Sequence, residues 1–257
     1  MNFKGKTVLV TGSSKGIGKQ IIHDFAKNGA NVVINYNNSY EEAREFEKFL
    51  VKEYDVNTLL LKCDVSKENE VKLMVNEIIN NFNYIDILVN NAGICNDTLF
   101  LDKTREDFIK VLDTNLIGTY LVTKHVSFAM IKEKKGVIIN IASDNGIDNG
   151  YPESCEYDAS KAGIISLTHN MAKYYAPYIN VNCVCPGWID TDMNKELDKI
   201  QIKEIEDTIL LKRFGKAEEI SKVVMFLASE EASYVNDSII KVNGGNKWKK
   251  KCFWMKR

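Results

Sequence analysis

The sequence predicts an α/β chain: one doubly wound domain in which a seven-stranded parallel sheet carries helices on both faces. Three observations lead there. Short continuous apolar runs alternate with stretches of helical period, and such runs mark strands buried on both faces. No Pro/Gly/Ser-rich linker, internal repeat or low-complexity segment breaks the alternation. The 257 residues also suit a single large domain, at roughly 100–200 residues each.

In chain order, Thr7-Val8-Leu9-Val10 is the first strand and 16–28 the first helix, with Ile17, Ile21, Ile22 and Phe25 on one side. Val32-Val33-Ile34 follows as a strand, 41–54 as a helix and Thr58-Leu59-Leu60-Leu61 as the third strand. A helix over 67–81 leads to a fourth strand at 85–89. Helices then cover 105–134, with a joint near Asn115. The fifth strand is 137–141, the long helix 157–175 and the sixth strand 179–184. A polar, helix-prone stretch (192–212), a helix at 217–229 and a last strand at 238–242 complete the domain, which is expected to span 1–246. Pro152, Pro177 and Pro186 fall at loops or element boundaries. The remaining 247–257 form a basic tail containing Trp248, Phe253 and Trp254, expected to lie beyond the fold.

Composition removes several functions. At 45% hydrophobic and 27% charged the chain is an ordinary globular one. Thirty-four basic against 35 acidic residues provide no global field for nucleic acid or an anionic membrane. No apolar run reaches the ~18–20 residues that span a bilayer, and the start lacks the apolar core of a signal peptide, so a cytoplasmic protein is expected. The six cysteines include no CxxC pair, and the three histidines lack zinc-ligand spacing. No metal is expected.

Thr11-Gly12-Ser13-Ser14-Lys15-Gly16-Ile17-Gly18 joins the first strand to the first helix. Glycines let a backbone turn with positive φ approach a pyrophosphate closely, and the helix start offers free N–H groups and a positive dipole end. A tight strand–helix turn can carry the same glycines, but this context favours a dinucleotide, with Gly12, Ser14, Lys15, Gly16, Ile17 and Gly18 around its phosphates. An acidic residue at the end of the second strand would accept from the ribose 2′-hydroxyl and repel a 2′-phosphate. Here the run is Asn35-Tyr36-Asn37-Asn38-Ser39. With Lys15 nearby, Tyr36 and Asn37 favour NADP(H), with NAD(H) as the alternative.

Tyr157 and Lys161 stand four apart and share a helical face. A phenol is a weak acid–base group at neutral pH, and an adjacent ammonium is expected to lower its pKa. Ser143 follows the fifth strand. In an open parallel sheet the ligand crevice lies beyond the carboxyl ends of the strands, where the glycine turn, Asn90-Asn91-Ala92-Gly93, Ser143 and Pro186-Gly187 all fall.

Together these pieces resemble the classical short-chain dehydrogenases/reductases over residues 4–245. They are TGSSKGIG at 11–18, CDVS at 63–66, NNAG at 90–93, Asn115 in TNLIGTY, Ser143, YDASK at 157–161 and PGWIDTDM at 186–193. The resemblance implies a Rossmann fold and a homotetramer packed through helices near 105–134 and 157–176. It implies that Ser143 bonds the substrate carbonyl, that Tyr157 is the acid, that Lys161 holds the nicotinamide ribose and that Asn115 supports a water-linked proton relay. It also implies Asp64 and Val65 beside the adenine, the backbone around Asn91, with Ala92 and Gly93, beside its ribose, and Pro186, Gly187, Ile189 and Thr191 against the cofactor, with Thr191 at the carboxamide.

VVINYNNS at 32–39, DILVNNAG at 86–93, LLKRFGKAEEI at 210–220 and FLASEEASYV at 226–235 are similar to bacterial 3-oxoacyl-[acyl-carrier-protein] reductases of fatty-acid synthesis. The implied activity is carbonyl reduction of a carrier-bound 3-oxoacyl thioester. A sugar, polyol or small ketone is the alternative substrate, and a nucleotide-binding regulator without turnover the third option, which the intact Ser–Tyr–Lys–Asn set opposes. Lys132, Lys134 and Lys135 are candidates to meet an acidic carrier, although Tyr178 stands where a second arginine is typical. Asp148, Glu153 and Glu156 give the loop before Tyr157 an acidic lining that suits an anionic partner poorly.

Overall fold

The computed structural model describes residues 1–148, 150–195 and 197–245; the basic tail lies outside them. Its elements are β1 (Thr7–Val10), α1 (Gly16–Lys27), β2 (Asn31–Tyr36), α2 (Tyr40–Tyr54), β3 (Thr58–Lys62), α3 (Glu68–Phe82) and β4 (Ile87–Asn90). There follow α4 (Arg105–Leu112), α5 (Gly118–Glu133), β5 (Gly136–Ile141), α6 (Cys155–Tyr175) and β6 (Ile179–Pro186). Last come β7 (Ile189–Asp190), α7 (Lys199–Thr208), β8 (Gly215–Lys216), α8 (Ala217–Leu227) and β9 (Ile239–Val242). Seven strands form one sheet in the order β3-β2-β1-β4-β5-β6-β9, with every neighbouring pair parallel. That is the expected doubly wound architecture.

The pleat divides the core in two. Val8 and Val10 point to one face, where Ile21, Ile22 and Phe25 of α1 and Val224 and Met225 of α8 cover them. Leu9 points to the other, against a layer containing Met74 of α3, Val122 and Val126 of α5 and Met171 of α6. Each such side chain contributes roughly 1.5–3 kcal/mol when fully buried.

Two departures bear on the site. Between α4 and α5 the chain makes a π-type turn over Asp113–Ile117, where the sequence predicts only a joint; such turns admit an extra residue and re-aim side chains. The helix bearing Tyr157 starts two residues earlier than expected, so Tyr157 lies in its first turn. The short parallel ladder between Ile189-Asp190 and Gly215-Lys216 is too brief to show as a period.

Candidate active site

All chain reversals that follow β1, β4, β5 and β6 meet along the carboxyl edge of the sheet. A buried polar ladder fixes the strand ends there. Asn90 donates to Thr123 Oγ1 and to Asn140 Oδ1, both at 2.8 Å, and Asn140 donates to Thr168 Oγ1 at 2.9 Å. It ties β4 and β5 to α5 and α6.

The glycine turn is sewn to the loop after β4. Thr11 Oγ1 accepts from the N–H groups of Asn91 and Ala92, each at 3.0 Å. The Asn91 amide donates to the carbonyls of Thr11 and Gly12 at 2.9 and 3.0 Å. Gly12 has φ +61°, and a Cβ there would sit 2.9 Å from Ala92 Cα. Gly18 has no room either, since its Cβ would stand 2.5 Å from the Asn91 amide nitrogen. Gly16 faces Thr191, so the turn and the segment after β6 are opposite walls of one groove. At its end, α1 begins after the N-cap residue Lys15 with no side-chain cap and no acid in its first turn, which leaves N–H groups free for an anion.

At the other end of the groove, Ser143, Tyr157, Lys161 and Asn115 converge. Ser143 Oγ accepts from Asn145 N–H at 3.2 Å and acts on the Tyr157 phenol. The Lys161 ammonium lies 5.4 Å from the centre of the Tyr157 ring. It donates to the Ile141 carbonyl at 2.8 Å, although the residue is only 3% exposed. Asn115 grips Ile94 from both sides, accepting from its N–H at 2.8 Å and donating to its carbonyl at 2.9 Å. Its amide also donates to Ser160 Oγ at 3.0 Å, and that hydroxyl donates to the Tyr157 carbonyl at 2.6 Å. A Cβ on Gly93 would lie 3.4 Å from Asn115 Oδ1 and 3.5 Å from Lys161 Nζ.

Burial governs the titration of both catalytic candidates. It raises the Tyr157 phenol above its ordinary value, with Ser143 acting in the opposite direction. It lowers Lys161 to about 8. The expected lowering of the phenol by the ammonium does not appear: desolvation raises it, and the opposing influence comes from Ser143.

These residues fit a dinucleotide. The glycines form a cradle that side chains would fill, and the free N–H groups suit a pyrophosphate. A nearly buried ammonium with one of its three protons bonded within the protein suits a pair of ribose hydroxyls.

The chain belongs to the short-chain dehydrogenase/reductase family and is an NAD(P)-dependent oxidoreductase: residues 12–247 match the family model described as Enoyl-(Acyl carrier protein) reductase. Among its relatives, it is 40% identical over 246 residues to the 3-oxoacyl-[acyl-carrier-protein] reductase FabG of Aquifex aeolicus, covering 95% of this chain and 98% of that one. It is 39% identical over 241 residues to FabG of Staphylococcus epidermidis, covering 93% and 98%. Levodione reductase superposes with a TM-score of 0.90 at 32% identity, over 95% of this chain and 98% of the other. A dehydrogenase/reductase from Sinorhizobium meliloti gives 0.89 at 28%, over 95% and 96%.

Other expectations are redistributed. Asn35 is buried and committed: its Oδ1 accepts from Gly12 N–H at 2.9 Å and its amide donates to the Cys63 carbonyl at 3.1 Å. Tyr36 and Ser39, half-buried, and the exposed Asn37 and Asn38 are the residues of that run that reach the surface. Asp64 Oδ1 is occupied by the N–H and hydroxyl of Ser66, and Val65 is buried against Gly118. Ser14 and Ile189 are largely buried, Ile17 and Gly187 partly so, and Pro186 ends β6 paired with Val242.

Lys132, Lys134 and Lys135 lie at or just beyond the end of α5, immediately before β5. A helix that leads into a parallel strand finishes at the amino edge, so these lysines and Tyr178 stand at the opposite end from the site. The acidic lining is also mostly neutralised. Glu156 is paired with Lys103 at 2.6 Å and Asp148 with Lys241. Among the described residues, no cluster of three or more His, Cys, Asp or Glu is arranged to hold a metal ion, and no helix is long and apolar enough to cross a membrane.

Proposed function

We propose that the chain is an NADPH-dependent reductase of 3-oxoacyl thioesters carried on acyl-carrier protein, acting as a cytoplasmic homotetramer. The observation that carries the carbonyl chemistry is the convergence of Ser143, Tyr157 and Lys161, with the ammonium 5.4 Å from the centre of the phenol ring. The thioester substrate is supported by the likeness to the FabG reductases. Exposed Tyr120, Phe128 and Tyr174 on α5 and α6 supply apolar surface for assembly. NADPH is favoured by the absence of a carboxylate at Tyr36-Asn37-Asn38 and by Lys15 at the start of α1.

When bound, the reduced nicotinamide supplies hydride to the carbonyl carbon. Ser143 donates to the carbonyl oxygen and Tyr157 gives it a proton as negative charge grows there. Lys161 directs its unbonded protons toward the nicotinamide ribose and favours the phenolate left on Tyr157. Asn115 fixes the floor between Ile94 and Ser160, and the family resemblance gives it the support of a relay water; its carbonyl accepts from Thr119 Oγ1 at 2.7 Å.

Glu153 supports a second reading. Its buried Oε2 has no hydrogen-bond partner, and it adjoins the helix that bears Tyr157. An acceptor there suits a hydroxyl of a sugar, polyol or hydroxyketone. The deciding assay is oxidation of NADPH and of NADH with acetoacetyl thioesters beside a panel of sugars and small ketones. The thioester is expected to exceed the rest in kcat/KM by about tenfold or more. Turnover of a sugar without turnover of the thioester would overturn the first reading.

A further inference from the structure

Lys103 and Glu156 form an ion pair at 2.6 Å with side chains 2% and 0% exposed. They come from separate parts of the chain: Lys103 precedes α4, and Glu156 lies in the first turn of α6, directly before Tyr157. The same ammonium also donates to the Asn96 carbonyl. One cation therefore binds the loop to itself and to the helix. A second tie runs parallel, from Thr98 N–H to the Glu153 carbonyl at 3.0 Å.

These contacts close a ring. From Tyr157 it passes through Ser160 to Asn115, across to Ile94, along Cys95 to Asn96, through Lys103 to Glu156, and back to Tyr157. Cys95, in the middle of the loop segment, acts electrostatically on the Tyr157 phenol. It also senses Glu156 and Lys103, so all four belong to one cluster. A buried ion pair gains little stability over apolar groups of similar volume, but it holds its two segments in one geometry.

We propose that Lys103 and Glu156 are positioning residues: their pair latches residues 94–104 onto the first turn of α6 and thereby sets the Tyr157 hydroxyl against Ser143. The proposal rests on the reductase reading above, in which that hydroxyl delivers the proton. Asn115 and Ser160 hold Tyr157 from within the helix layer, and the latch holds it from the loop side.

The test is the double variant Lys103→Met/Glu156→Gln, which leaves no charge unpaired and should fold, compared with Lys103→Met alone. In the double variant kcat is expected to fall about tenfold with the NADPH dissociation constant unchanged within about twofold. Hydrogen exchange of the backbone amides at 94–104 and 152–157 should quicken about tenfold, with the rest of the sheet unaffected. Lys103→Met alone, which strands a carboxylate, should lose more kcat than the double variant. A merely structural pair would lower the melting temperature and leave kcat intact; kcat within about twofold of wild type in the folded double variant would overturn the proposal. If the wild-type enzyme reduced no carbonyl compound, the reading under Proposed function would fail. The exchange rates at 94–104 would then decide the latch alone: faster supports it, unchanged sinks it.

Discussion

Lys161 spends one of its ammonium protons on the carbonyl of Ile141, 2.8 Å away at the end of β5. That bond anchors the ammonium to the sheet rather than to the phenol, and leaves its desolvation largely uncompensated. Its pKa is lowered from 10.5 to about 8 for that reason. Between those values the unfolded chain holds a proton that the folded chain does not. Stability should therefore rise with pH from about 8 to 10.5, with the penalty fully present below 8. Lys161→Met is expected to abolish turnover yet stabilise the fold at pH 7 by up to about 3 kcal/mol. Denaturant unfolding at pH 7 and pH 10 checks this, because the gap between variant and wild type should narrow at the higher pH.

Tyr157→Phe keeps the ring over which Lys161 lies and removes only the hydroxyl that meets Ser143. Cofactor affinity, followed by fluorescence titration, should change by less than about twofold, while turnover drops below about a tenth. A variant that retains more than that has another proton donor.

Tyr36→Asp places a carboxylate at the end of β2, where a 2′-phosphate would meet it. The ratio of kcat/KM with NADPH to that with NADH should fall by about tenfold or more. The ring of Tyr36 lies 5.6 Å from that of Tyr40, so its loss also trims that contact. An unmoved ratio would place the discriminating residues elsewhere.

Gly18→Ala drives a methyl to 2.5 Å from the Asn91 amide and 2.7 Å from the Gly12 carbonyl. Neither can withdraw, since they are bonded to each other. The variant should lose about 1–3 kcal/mol of stability and bind cofactor at least about tenfold more weakly, by thermal unfolding and titration.

The alternation of strand and helix was readable because buried parallel strands are apolar throughout while their covering helices are apolar on one side. The carboxyl-edge convergence follows from that topology, which makes Ser143, Tyr157 and Lys161 legible in the sequence, whereas Asn115 enters only through the family resemblance. The role of Asn35 is not legible in the sequence, because a strand's pleat decides which side chains turn inward. In this chain Asn35 turns into the loop network instead of toward a phosphate. The placement of Lys132, Lys134 and Lys135 at the wrong edge was a topological error that the helix-then-strand order could have caught. Glu156 was different: its neutralisation by Lys103, 53 positions away, leaves no local signal in composition or spacing.

The Asn91 amide already joins the glycine turn to β4 through two carbonyls, so the nucleotide half of the groove is ordered by folding itself. An arriving dinucleotide meets a rigid seat and loses little affinity to organising it. The substrate half depends instead on a long loop and a short two-stranded ladder. That asymmetry favours a compulsory order of addition, with the cofactor first, and initial-rate kinetics with a dead-end carbonyl analogue would reveal it.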